Sequence, residues 1–130
     1  MEWGDDLSLG NDHLDDQHKE IVRLVNNLLE YRDDSVEPDS KFARLLSNLR
    51  IEITQHFVDE EHLMEQNGCP APELIEHTND HVLMLLTLAE TRFIAKEKIL
   101  YQTIPHLSEK LASHMSEIDR VYMPYLSPTT

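Results

Sequence analysis

Four segments of the chain carry apolar residues at alternating steps of three and four, which is the spacing of one face of an α-helix. The first two stripes are formed by Leu14, His18, Ile21, Val25 and Leu28, and by Phe42, Leu46, Leu49, Ile53, His56, Glu60 and Leu63. The other two are formed by Leu74, His77, His81, Met84 and Leu88, and by Ile104, Leu107, Leu111, His114, Ile118 and Val121. The pattern predicts four amphipathic helices.

Residues that begin and end helices separate these stripes. Aspartates crowd the start of the first stripe, where the helix dipole favours carboxylates, and Gly68 and Pro70 end the second. We predict helices over about 12–32, 39–67, 73–95 and 103–123. Pro105 lacks an amide hydrogen, so the fourth helix either begins near Thr103 or is kinked at Pro105, and the first reading is favoured.

Long helices with short connections favour an all-α fold, an antiparallel up-down-up-down four-helix bundle with an extended N-terminal arm over residues 1–11. The length of 130 residues suits one domain, which we place at residues 1–126. Residues 127–130 are expected to be a tail, either a natural end or the start of a linker.

The negative net charge of the chain argues against some classes of binding partner. It has 11 Lys and Arg against 25 Asp and Glu, a net charge of −14, so binding to nucleic acid or to an anionic membrane is not expected. The N-terminus lacks the features of a signal peptide, and the longest apolar run is too short to span a bilayer. With a single cysteine there is no intrachain disulfide, and we expect a cytoplasmic setting.

Each of the four stripes contains at least one histidine, and the second also contains Glu60. A single histidine on an apolar face is usually a core residue with a satisfied hydrogen bond. Five histidines converging with a carboxylate are different, because a buried unpaired carboxylate costs several kcal/mol or loses its charge. A metal ion would accept the imidazole lone pairs and neutralise the carboxylate.

The spacing of these residues supports ligation. His77 and His81, like His56 and Glu60, are four apart and lie on consecutive turns of one helix face. Asp119 is five residues after His114, which is too wide an offset in an α-helix for one ion, so we expect this carboxylate to reach towards a second ion. Five nitrogens and two carboxylates exceed one tetrahedral zinc, and two ions bridged by two carboxylates account for all seven. Glu-x-x-His and His-Glu-x-x-His motifs are absent from the sequence.

In order and spacing these residues resemble those of the hemerythrins, specifically the bacterial hemerythrin-like domains. The resemblance runs from Trp3 and "LSLGNDHLDDQHKEI" through "HFVDEEHLM", "HTNDH" and "HMSEID", so it covers nearly the whole chain. The ordered set His, His-x3-Glu, His-x3-His and His-x4-Asp is highly specific.

The resemblance implies a di-iron centre with an oxo or hydroxo bridge. It assigns one iron to His77, His81 and His114, the other to His18 and His56, and the bridging carboxylates to Glu60 and Asp119. The second iron then keeps an open position. In the family, O2 binds at that position, takes two electrons from the iron pair and a proton from the bridge, is held as a hydroperoxide, and leaves by the reverse steps.

The resemblance also places Leu111 and Met115 in the O2 pocket, although core packing alone would explain both residues. Two positions depart from the family. Lys110 stands where a Trp is common, and Cys69 stands where the loop often has a Tyr. The lysine is expected to open the pocket wall to solvent and to shorten the life of the oxygenated form.

Two functions follow from this resemblance. The first is reversible O2 binding by a non-enzymatic carrier, store or scavenger, with NO or azide as further small ligands. The alternative is an O2-sensing or redox-sensing domain that acts through the same di-iron site on a fused or separate signalling partner. A di-iron enzyme is disfavoured, because no acid or base is evident near the open iron.

Overall fold

In the computed structural model, which describes residues 1–31 and 39–126, the chain is helical and the described part contains no strand. The all-α prediction is therefore confirmed. The three long helices are α1 (Asp12–Glu30), α2 (Asp39–Gln66) and α3 (Ala71–Glu90). The predicted break after residue 32 and the predicted tail over 127–130 lie outside the described residues.

The rest of the chain forms shorter helical pieces. A 3-10 turn (Asp5–Leu7) interrupts the arm, and another (Thr91–Phe93) follows α3. The fourth helical region consists of α4 (Lys96–Lys98), a π-helical turn (Ile99–Thr103), α5 (Ile104–Ser113), a second π-helical turn (His114–Ile118), α6 (Asp119–Val121) and α7 (Met123–Leu126).

Local signals explain the helix ends. The side chain of Asn11 accepts a hydrogen bond from the Leu14 amide at 3.1 Å and caps the start of α1. Gly68 adopts φ of 81°, a left-handed conformation that costs glycine nothing. The next amide, of Cys69, donates to the Met64 carbonyl at 3.0 Å and closes the end of α2.

Helix α5 begins at Ile104 with Pro105 in its first turn, close to the predicted start near Thr103, but other helical turns precede it. The chain is already helical from Lys96, and helical residues lie on both sides of Pro105, as in the less favoured reading. The π-helical turn Ile99–Thr103 ends two residues before the proline. Since Pro105 has no amide hydrogen to donate to the preceding turn, this wider turn rearranges the backbone pairing where a regular α-helix would lose a hydrogen bond.

The second π-helical turn, His114–Ile118, changes which residues face the core. It adds one residue to a turn, so the inward face shifts by one position along the chain. Val121, predicted on the apolar stripe, is 71% exposed, and Asp119 is fully buried instead. The predicted inward position of Val121 was wrong, because a strict three-and-four count assumes an unbroken α-helix.

The helices contact one another as in a bundle. Helix α1 packs on α2 and α5, and α3 packs on the same two helices. The up-down-up-down order of the helices stays a prediction. No helix among the described residues combines the length and the apolar character that a membrane span would need.

Two apolar clusters lie at different heights in the bundle. The smaller contains Leu9, Leu14, Met64, Cys69 and Leu126. The larger contains most other buried apolar side chains, among them Ile21, Phe57, Met84 and Leu111. Along all four helical regions, the buried histidines and carboxylates fall between residues of one cluster and residues of the other. The polar residues therefore form a layer inside the core, with an apolar cluster on either side.

The shifted register makes a prediction about stability. Val121→Asp should reduce the free energy of unfolding by less than about 0.5 kcal/mol, because the side chain is exposed. The matched control Leu107→Ala removes a buried side chain from the same helical region and should cost about 2–5 kcal/mol. Urea unfolding followed by circular dichroism measures both. A loss above about 2 kcal/mol for Val121→Asp would contradict the shifted register. It would indicate that Val121 faces the core, as an unbroken α-helix predicts.

Candidate metal centre

All seven residues that the sequence singles out as metal ligands are buried, and the structure brings their side chains together. They form two groups in which one ligand atom from each residue lies within 4.8 Å of the others. One group comprises Glu60, His77, His81, His114 and Asp119, and the other comprises His18, His56, Glu60 and Asp119. Because the two carboxylates belong to both groups, either group could hold an ion that shares them.

The π-helical turn brings His114 and Asp119 onto the same face. Their Nε2 and Oδ1 atoms lie 2.9 Å apart, although five residues separate them in the sequence. The expectation that this offset is too wide for one ion was wrong, because it assumed α-helical geometry, whereas the hydrogen bonds of a π-turn span five residues. Asp119 can therefore serve the same ion as His114 as well as a second one.

His18 on α1 and His56 on α2 point their Nε2 atoms at each other. His18 donates from Nδ1 to the Leu7 carbonyl at 2.7 Å, and His56 donates from Nδ1 to the Gln17 side-chain oxygen at 2.8 Å. In a neutral imidazole the other nitrogen, Nε2, then carries a lone pair. The two Nε2 atoms are 2.9 Å apart, so two lone pairs face each other with no proton between them.

A second pair of histidines, on the other side of the layer, also turns its Nε2 atoms towards each other. His81 donates from Nδ1 to Glu61 at 3.2 Å, and His114 donates from Nδ1 to Asp80. Their Nε2 atoms are 3.0 Å apart. Imidazoles that donate Nδ1–H to an acceptor outside the cluster and turn Nε2 inward have the orientation of metal-bound histidines.

The residues that orient these rings were not identified from the sequence. Each side-chain acceptor belongs to the helix before the one that carries its histidine, so every contact crosses between helices. Each is also a direct sequence neighbour of a predicted ligand, namely Gln17 beside His18, Glu61 beside Glu60 and Asp80 beside His81. A search for polar neighbours of the ligands would have found them, although not the histidine that each one contacts.

The two carboxylates face nitrogen atoms and few donors. Among the described residues, no hydrogen-bond donor satisfies Glu60 Oε2 or either oxygen of Asp119. Nε2 of His56 lies 3.1 Å from Glu60 Oε2, and Nε2 of His18 lies 3.6 Å from Asp119 Oδ2. Nε2 of His77 is in close contact with Glu60 and 3.1 Å from Asp119 Oδ1. Buried lone pairs and negative oxygens at these distances need positive charge between them.

The pKa values show how protons respond to this field. Burial lowers the pKa of His77, but the neighbouring carboxylates of Asp119 and Glu60 outweigh burial and raise it to about 9. The same balance raises the pKa of His114 to about 11. Burial raises the pKa of Glu60, yet the surrounding histidines hold it well below its usual range. Burial and the neighbouring His56 lower the pKa of His18. Protonation is therefore favoured at His77 and His114, on one side of the layer, and disfavoured at His18, on the other side.

A metal ion fits this donor set better than protons do. Neutral imidazole nitrogens and carboxylate oxygens are ligands of iron, zinc and related ions. An ion in each group would meet the inward lone pairs, and both ions would neutralise the orphaned carboxylate oxygens. The cluster is therefore able to bind metal.

Apolar and aromatic side chains surround the cluster. Leu111 and Met115 are buried in the larger apolar cluster, three residues before and one residue after His114. The ring of Phe57 stacks on His81 with 3.8 Å between centroids, and Tyr122 meets the edge of His77 at 4.8 Å. These side chains keep water away from most of the layer.

The structure places Lys110 on the His114 side of the layer. Lys110 is exposed and lines a cavity of about 50 Å³ together with Asp80, the acceptor that orients His114. Solvent can approach the outer acceptor by this route. The three histidines off the stripes, His13, His62 and His106, are exposed.

Comparison with known proteins agrees with the resemblance seen in the sequence. The family described as "Hemerythrin HHE cation binding domain" matches residues 9–126. A bacteriohemerythrin of Stenotrophomonas maltophilia is 30% identical over 122 residues, covering 92% of this chain and 77% of that protein. One from Pseudomonas aeruginosa is 30% identical over 123 residues, covering 93% and 78%. No solved structure matches significantly.

Metal binding should release protons. Without metal, His77 and His114 have pKa values of about 9 and about 11, so both are protonated at pH 7 and must lose a proton to become ligands. The apparent affinity should therefore rise with pH between 6.5 and 8.5, by about tenfold per pH unit for each proton released. Chelator competition with Zn²⁺ at several pH values measures this slope. A pH-independent affinity over that range would contradict the protonation of these rings.

Proposed function

The chain belongs to the hemerythrin family, and we propose that it is a non-haem di-iron protein that binds O2 reversibly as a carrier, store or scavenger. The domain spans residues 1–126, and the cytoplasm is its proposed setting. No catalytic residue is part of the proposal. Among the described residues, the polar groups in contact with His18 and His56, other than the two shared carboxylates and the rings themselves, are a backbone carbonyl and an amide. Neither is an acid that could protonate O2 for O–O cleavage.

We assign one iron to each of the two side-chain groups. His77, His81 and His114 hold the first iron, and His18 and His56 hold the second. Glu60 and Asp119 would be shared by the two irons, since both carboxylates belong to both groups. Iron is the metal that the family implies, and nitrogen and oxygen donors suit it.

One observation supports this assignment most strongly. In two separate histidine pairs, outer acceptors hold the Nδ1 protons, and the Nε2 atoms face each other at 2.9 and 3.0 Å. Between the neutral rings of His18 and His56, chance packing would place a donor opposite an acceptor, because a buried polar atom without a partner is costly. Two such pairs on either side of the same carboxylates favour two bound cations.

The side with fewer nitrogens is the proposed O2 side. His18 and His56 offer two nitrogens where the other group offers three, which leaves room for a small ligand. When bound, the iron pair supplies the two electrons that hold O2. The protein supplies the rest: the Leu7 carbonyl and Gln17 fix the two rings, and the buried side chains of Leu111 and Met115 exclude water.

A sensing domain is the second candidate, and the position of Lys110 favours it. The exposed lysine borders a narrow cavity that reaches Asp80, so solvent has access close to a ring that we assign as a ligand. This cavity lies beside the first iron and not on the O2 side, so water there would act by favouring oxidation of the iron pair. Frequent passage to the oxidised state would suit a redox signal to a partner better than storage.

A spectroscopic experiment tests the proposal. The iron-loaded protein is reduced without air and then exposed to O2 while its near-ultraviolet and visible spectrum is recorded. We expect an absorption band that appears with O2 and disappears when O2 is removed. Direct passage to the oxidised spectrum, without a reversible band, would favour the sensing domain. A protein that takes up no iron and shows no band would contradict both candidates.

Two histidine variants make the test specific. His56→Ala removes a proposed ligand of the O2 side and should abolish the reversible band. His62→Ala removes an exposed histidine on the same helix and should leave the band unchanged. An equal response of the two variants would count against the assigned O2 side.

A further inference from the structure

Asp59 lies just outside the metal centre and organises one of its supports. It is on α2, one residue before Glu60, and belongs to neither group of candidate ligands. Its Oδ2 accepts hydrogen bonds from Gln17 Nε2 at 2.7 Å and from His13 Nε2 at 2.9 Å. Its Oδ1 accepts from Gln55 Nε2 at 2.8 Å. Burial raises the pKa of Asp59, but the three donors outweigh burial and lower it overall, so the group stays a carboxylate near neutral pH.

This carboxylate fixes which way the Gln17 amide points. A glutamine side chain has a donor end and an acceptor end of nearly the same shape, whereas an ionised carboxylate only accepts. Gln17 must therefore turn its NH2 group to Asp59 and its oxygen to His56. The Nδ1 atom of His56 lies 2.8 Å from that oxygen and has to carry the hydrogen.

The orientation of the amide in turn decides what His56 presents to the metal. With hydrogen on Nδ1, the neutral ring has its lone pair on Nε2, which faces the metal layer. A flipped amide would present NH2 to Nδ1, and the hydrogen of the ring would move to Nε2. That tautomer cannot ligate through Nε2.

Among the ligand histidines whose Nδ1 partner the structure describes, His56 alone has a partner that could present either a donor or an acceptor. Of the four ligand histidines with a described Nδ1 partner, His18 faces a backbone carbonyl, and His81 and His114 face carboxylates. Those three partners can only accept a hydrogen bond, so each of the three rings must carry its hydrogen on Nδ1. The partner of His56 is an amide, which could present either end.

We propose that Asp59 is a positioning residue that, through Gln17, holds His56 in the tautomer that binds the iron of the O2 side. This inference rests on the proposed function, because it takes His56 to be a ligand. It adds a residue of this chain that touches neither metal nor O2 and still controls occupancy of the second metal position.

The first test exchanges the carboxylate for an amide. Asp59→Asn keeps the shape of the side chain but can donate as well as accept, so the Gln17 amide is no longer held one way round. We expect the second metal ion to bind about 10–100-fold more weakly, the usual cost of losing an outer partner of a ligand. Anaerobic titration of the full chain with Fe²⁺ against a chelator measures the two binding steps.

A swap of the two groups provides the rescue. In the double variant Asp59→Asn with Gln17→Glu, position 17 carries the group that only accepts, and the asparagine can donate to it. His56 again faces an acceptor, and affinity for the second ion should return to within about threefold of the original. His13→Ala is the matched control, since it removes another donor to Asp59 and leaves Gln17 in place.

The tautomer itself gives an independent readout. Ring ¹⁵N spectra of the Zn²⁺-loaded proteins distinguish Nδ1–H from Nε2–H at His56, which a general loss of packing would not exchange. Thermal melts establish that each variant folds, and Asp59→Ala, which leaves the amide without its partner, replaces any variant that does not. We expect mixed tautomers in Asp59→Asn and Nδ1–H alone in the original chain and in the swap.

Two results would overturn the inference alone. One is an Asp59→Asn protein that binds both ions within about twofold of the original and keeps Nδ1–H at His56. The other is a folded swap that fails to restore the second ion. An original chain that binds no second ion would instead overturn the proposed function, and this inference with it.

Discussion

The structure depends on placing positive charge between atoms that would otherwise repel one another. Two pairs of histidines turn their Nε2 atoms inward, and two fully buried carboxylates lie among them with oxygens that lack donors. Protons can relieve part of this repulsion, because the pKa values of His77 and His114 rise well above neutral pH. They are disfavoured at His18, whose pKa is lowered. Cations relieve it on both sides, and the fold provides a place for them.

The rest of the fold holds this charged layer in place. Apolar clusters above and below it exclude water from the buried oxygens of Glu60 and Asp119. Outer acceptors fix the rings, and most of these contacts cross from one helix to the next. The helices are therefore joined through the ligands as well as through apolar packing. A change in one support, such as the amide of Gln17, alters a ring on another helix.

Most of the candidate site was accessible from the sequence, because its residues repeat with the helical stripes. A histidine or carboxylate on an otherwise apolar helix face can be recognised in the sequence as a candidate ligand. Two features were not accessible. The π-helical turn at His114–Ile118 shifts the register, so the sequence pattern misplaced Val121 and misjudged the reach of Asp119. The acceptors at Gln17, Glu61 and Asp80 depend on how neighbouring helices are aligned, which periodicity within a single helix does not determine.

The most direct test of this account is anomalous diffraction at the iron edge from crystals of the iron-loaded protein. The account predicts two peaks per chain, one among the Nε2 atoms of His77, His81 and His114 and one beside those of His18 and His56, with Glu60 and Asp119 in contact with both. A well-ordered chain with no anomalous peak, or with a single ion that leaves His18 and His56 in contact with each other alone, would contradict it.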